Sequence, residues 1–137
     1  MYNKIMVPVD LAHAQRLGKA LATATDLAKH YRIPICFVGV TAETPTEVAH
    51  TPKEFVERLE AFGAAHSKQH NLDIGTAAYP SHDPAADLDD KLIAAARENG
   101  ADLIVMASHV PGLPEHIFAP NAGAVASHAE MSVFVVR

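Results

Sequence analysis

Ser108 and His109 follow an uninterrupted apolar run, Leu103-Ile104-Val105-Met106, and further on the chain enters an alanine-rich stretch at Ala119-Pro120-Asn121. A serine beside a histidine invites a nucleophile-and-base reading. Neighbours on an extended chain point to opposite faces, however, which separates the two side chains, and the chain holds no G-x-S-x-G elbow. The stronger chemistry lies in the helix start. Its free N–H groups and partial positive charge face outward, so a phosphate is the natural guest. Asp10 closes another apolar run, Lys4 to Val9. A carboxylate there either contacts a ligand or caps the following loop, and both readings stand. His66 and His70 are spaced i, i+4 and could share a metal, but two histidines without a third ligand make a weak site, and the spacing reads better as a solvated helix face.

These residues need a scaffold. The runs 103–106 and 133–136 are apolar on both faces, as strands of a helix-covered parallel sheet are. With the small-residue segment Asn121 to Ala129 between them they form a βαβ unit whose crossover is right-handed. Ligands in such sheets sit at the carboxyl ends of the strands, here Ala107-Ser108-His109 and the loop Val110 to Phe118. Upstream, Lys4 to Val9 is the first strand. Leu17, Leu21, Ala24, Leu27, Ala28 and Tyr31 recur at helical spacing within a helix from His13 to Tyr31. Ile33 to Thr41 is the second strand, with Pro34 at its start. Thr51 caps a helix running from Pro52 or Lys53 to His70, with Glu54 completing a capping box; Phe55, Leu59, Phe62, Ala65 and His66 or Gln69 face inward. Leu72 to Tyr79 is a third strand. Asp83 or Ser81 then caps a helix opened by Pro84, buried through Ala86, Leu88, Leu92, Ile93 and Ala96, and stopped by Gly100. Strands and helices in alternation give an α/β fold: one open, doubly wound parallel sheet of five strands with four helices, Rossmann-like, in a single domain 1–137.

At 137 residues the chain can bury a core without disulfides or metal. A net charge of −5 with no basic run argues against a nucleic acid partner. The single cysteine, Cys36, sits within an apolar run and reads as a small buried hydrophobe. No stretch approaches the roughly 20 apolar residues that span a bilayer, and the chain opens on a strand rather than a leader, so a cytoplasmic location without membrane contact is expected.

The tail Ser127-His128-Ala129-Glu130-Met131-Ser132-Val133-Phe134-Val135-Val136-Arg137 resembles the C-terminus of the universal stress protein family. Lys4-Ile5-Met6-Val7-Pro8-Val9-Asp10 resembles the family's first strand with its Pro-x-Asp end, and Ala101 to His109 its fourth strand with a Ser-His exit. The resemblance spans the chain and implies an adenine nucleotide alpha hydrolase-like sheet of order 3-2-1-4-5. It also implies a crevice where the order reverses, built by Pro8, Asp10, Val40, Met106, Ala107, His109, Val110, Ala119, Pro120 and Asn121. Asp10 would lie on the ribose side of an adenine nucleotide, ATP or AMP, and the main chain of Val40 would meet the adenine. A homodimer through Val133 to Val136 is implied as well, together with a role in the stress response.

The family's ATP-binding members carry Gly, two residues, Gly, nine residues, then Gly with Ser or Thr. Here those positions hold Ala107, Val110, Ala119 and Pro120, and the loop is one residue short. Glycine lets backbone approach a phosphate, whereas Val110 is stiff and Pro120 lacks both the amide and the hydroxyl. Two readings follow: a homodimeric regulator with protein partners and little or no ATP binding, or an adenine-nucleotide sensor using Asp10, Val40 and the helix amides of Asn121 and Ala122. Dedicated catalysis is not expected; slow nucleotide hydrolysis is the most that would remain.

Overall fold

The computed structural model describes residues 1–108 and 121–137, the side chain of Ala85 excepted. In chain order it contains strand β1 (Ile5–Pro8), a 3-10 helix (Leu11–Leu17), α1 (Gly18–Tyr31), β2 (Ile35–Ala42), α2 (Pro52–His70), β3 (Ile74–Ser81), α3 (Pro84–Glu98), β4 (Leu103–Ala107), α4 (Ala122–His128) and β5 (Ser132–Val136). The strands form one parallel sheet in the order β3-β2-β1-β4-β5, as the resemblance implies.

The central strands are apolar on both faces because both faces are covered. Ile5, Val7 and Val9 pack with Leu21, Ala24, Phe55 and Leu59 of α1 and α2 on one side. On the other, Met6, Cys36, Val38, Ile104 and Met106 pack with Leu88, Leu92 and Val125 of α3 and α4. Burial raises the pKa of the Cys36 thiol, an effect that Lys4 partly offsets.

Local sequence sets most element ends. Thr51 accepts from the Glu54 amide at 3.1 Å, and the Glu54 carboxylate returns to the His50 amide at 3.0 Å, one residue earlier than a standard capping box. Arg32 and Asn71 end α1 and α2 in the left-handed conformation, and Gly100 takes φ +69 after α3.

Several expectations shift. The helix expected from His13 begins as a 3-10 segment, with non-helical dihedrals at His13 itself, and becomes α-helical at Gly18. Asp10 is the reason, because it caps the tighter turn first. In α2, Ala65 and Gln69 are exposed and Gly63 is buried in their place. In α3, Ala86 is exposed and Ala95 is buried. Alanine fits either environment, so periodicity placed these positions weakly. Asp83 is the N-cap position of α3 without a side-chain cap bond; the buried Ser81 hydroxyl accepts from the Asp83 amide and donates to Asp87. Pro120 precedes the small-residue segment that the sequence reads as the last helix. It lies outside the described residues, and the described helix begins at Ala122 with Asn121 as N-cap.

Candidate functional site

Proline opens the crevice. In β1 the even-numbered residues direct their main-chain groups toward β4, as Lys4 does when its carbonyl accepts from Asp102 N. Pairing between β1 and β4 runs through Ile5–Leu103 and Met6–Ile104 and then ends. Continued in register, Pro8 would face Met106, but proline has no N–H to give to the ladder. β1 holds β2 for longer, through Val9 N to the Val38 carbonyl at 2.8 Å. The sheet therefore splits between β1 and β4 at their carboxyl ends, the place where strand order reverses.

A cavity of about 450 Å³ occupies this split. It falls within the roughly 300–1,000 Å³ range of small-ligand sites. Pro8, Asp10, Val40, Met106 and Ala107, all expected at the crevice, line it together. Its depth is apolar, reaching Val38, Phe55, Leu88 and Leu92, while Asp10, His13, Thr41, Thr46 and Glu47 supply polar groups.

Val40 contributes through its backbone. Residues 38 and 40 of β2 point their main-chain groups to the same side, and Val38 uses its carbonyl to hold Val9. Val40 lies one alternation beyond the last rung, so its N–H and C=O face the side that β1 has left, toward the cavity that Val40 lines. A donor and an acceptor are thereby presented side by side.

Asp10 is both brace and wall. One carboxylate oxygen accepts from the Ala12 amide at 3.1 Å, and the other meets His13 Nδ1 at 3.0 Å. An ionised carboxylate only accepts, so Nδ1 carries the shared hydrogen. The capping reading of Asp10 is thus realised, and its place in the cavity wall is kept as well. His13 was missed as a site residue because the sequence reads it as the start of a helix; the available signal was its spacing three residues after an N-cap aspartate. Glu47 was missed too, because it sits on the β2–α2 loop. That loop is closed on itself by Thr46 N to the Ala49 carbonyl at 2.9 Å and by bonds of 3.3 Å between the Thr46 hydroxyl and the Ala49 main chain.

Asn121 does not line the cavity. Its side chain accepts from Ala124 N at 3.1 Å, capping α4, and its own amide donates to the Asp89 carboxylate at 2.9 Å. The expectation that this amide remains for a phosphate is therefore corrected: a side chain of α3 already holds it. His109, Val110, Ala119 and Pro120 lie outside the described residues. His82 is exposed and pairs with Glu43 at 2.9 Å. His66 and His70 lie with ring centroids 6.0 Å apart, and His66 Nδ1 is engaged with the Phe62 carbonyl at 3.2 Å. Among the described residues no group of three or more His, Cys, Asp or Glu gathers to hold a metal, and no helix is long and apolar enough to cross a membrane.

The family model of the universal stress protein family matches residues 1–137. A universal stress protein G of Shigella flexneri is 28% identical, with all of each chain covered. Among solved structures, a universal stress protein in complex with cAMP superposes with a TM-score of 0.67 at 16% identity, covering 99% of this chain and 97% of its own. The universal stress protein from Archaeoglobus fulgidus in complex with dAMP gives a TM-score of 0.67 at 17% identity, covering 99% and 98%. These structural likenesses concern the fold.

Proposed function

The chain belongs to the universal stress protein family, and on that footing we propose that it is a homodimeric stress-response regulator whose crevice takes an adenine ring and ribose but grips a triphosphate poorly. The observation that carries this reading is the cavity of about 450 Å³ between the ends of β1 and β4. The paired main-chain donor and acceptor of Val40 suit the adenine edge, which offers an amino donor beside a ring acceptor. The Asp10 carboxylate on the same wall suits sugar hydroxyls. On the phosphate side, Ala107, Val110, Ala119 and Pro120 stand where the family's motif has glycines and a hydroxyl, and the Asn121 amide is taken by Asp89. A cytoplasmic location belongs to the same reading.

A second reading, an adenine-nucleotide sensor that binds AMP, ADP or ATP, is favoured by the cAMP and dAMP held by the two structurally similar proteins. Both readings place the ligand in the same cavity. Ala107 ends β4 at the cavity wall, so Ala107→Phe fills the space. Calorimetry is expected to show adenine-compound binding by the wild type and its loss in Ala107→Phe, with the folded state retained by circular dichroism. Undisturbed binding in the variant would put the ligand elsewhere.

A further inference from the structure

We infer that the crevice prefers ligands without a phosphate, a nucleoside or free purine base over the corresponding nucleotide. The inference rests on the ligand reading above and adds to it the sign of the charge around the cavity. Among the described residues lining the cavity the carboxylates are Asp10 and Glu47, and no lysine or arginine is present. His13, the remaining titratable side chain, is bonded to Asp10. The adjoining groove shares Glu47 and carries Arg58, but that guanidinium meets the Glu54 carboxylate at 3.0 Å. Asp89 sets a further carboxylate on the amide that opens α4. After β4 the sequence contains no lysine or arginine before Arg137, and neither Arg137 nor Arg16 of the 3-10 helix is among the residues lining the cavity.

A phosphate entering this crevice would leave water for like charges. Repulsion between charges is stronger in a partly desolvated cleft than in bulk solvent, and a buried anion without a partner keeps its desolvation cost. A nucleoside avoids both penalties. Its base meets the apolar depth and the Val40 backbone pair, and its hydroxyls donate to Asp10. The acidic wall therefore acts as a filter on ligand charge.

The test is calorimetric titration of the wild-type protein with adenosine and with AMP, repeated as salt is raised and in the double variant Glu47→Gln, Asp89→Asn. Adenosine is expected to bind roughly tenfold more tightly than AMP at about 0.02 M salt, with the gap narrowing at about 0.5 M as screening sets in. The gap should narrow likewise in the double variant, whose amides keep the shape and acceptor oxygens of the lost carboxylates. AMP binding as tight as adenosine in the wild type would overturn the inference while leaving the ligand reading standing. A gap indifferent to salt and to both substitutions would also overturn it. Binding of neither compound would remove the ligand reading and this inference together.

Discussion

Pro8, Asp10, Val40, Met106 and Ala107 were legible in the sequence because each sits at a strand end, where a run of apolar residues stops and the family's pattern can be laid alongside. His13, Glu47 and Asp89 were not. His13 meets Asp10 three residues earlier in a turn that the helical reading of 13–31 hid, whereas Glu47 and Asp89 depend on tertiary structure: a loop folded back on the cavity, and the amide of a helix more than 30 residues later. Asp102 shows the same at the other end of the sheet. Its carboxylate accepts from the Asn3 amide at 3.0 Å and the Lys4 amide at 3.1 Å, tying the N-terminus to the start of β4. Burial alone would raise its pKa, but these amide bonds outweigh burial and hold it below the ordinary 3.8. A lowered folded-state pKa stabilises fully above the unfolded value and stops doing so as pH falls through the folded value. Asp102→Ala is therefore expected to cost about 1–3 kcal/mol in urea unfolding near neutrality. The difference from wild type should shrink as pH falls below the ordinary 3.8 and on through the lowered folded-state value, where the wild type loses the charge too. A difference that persists undiminished in acid would assign the effect to packing instead.

Element type was readable for the strands and the α-helices but not for the 3-10 segment before Gly18, and element faces were less readable still. The long apolar strands and the capped helix after Thr51 declare themselves, whereas alanine does not distinguish core from solvent, which is why Ala65 and Ala86 were placed inward and lie outside. What decides the face of α2 is a glycine. A Cβ on Gly63 would stand 2.7 Å from Thr76 Cγ2 on β3, so the helix lies against the strand only without a side chain there. Thr76 is short, β-branched and held in the sheet, and cannot swing away. Gly63→Ala is expected to destabilise the protein by about 1–3 kcal/mol through overpacking. Gly18 gives the contrast: it has helical dihedrals, and nothing lies within 4 Å of its would-be Cβ. There alanine should stabilise by about 0.4–1 kcal/mol, by narrowing the unfolded ensemble. Thermal unfolding of the two variants checks the contrast; equal effects would mean that the α2–β3 approach is not tight.

At the scale of the molecule, alternation of strands and helices supplied the fold class, but the strand order came from the family resemblance, since periodicity carries no information on which strands are neighbours. That order leaves β5 at an edge with Phe134 and Val135 exposed. Ser132 and Val136 turn their main chain to β4, so Val133 and Val135 turn theirs outward. These outward groups support the proposed homodimer, and an edge strand tolerates proline on its open side. Val135→Pro is expected to convert a dimer to a monomer in sedimentation while the sheet persists; an unchanged mass would place the interface elsewhere or the protein as a monomer. The proposed loss of phosphate grip decides what kind of family member this is. Calorimetric titration of the wild type with ATP and with AMP, with and without magnesium, addresses it most directly. The expected result is ATP binding no tighter than AMP, with no gain from magnesium. Micromolar ATP binding that strengthens with magnesium would contradict it and make the crevice a working nucleotide site despite Ala107, Val110, Ala119 and Pro120.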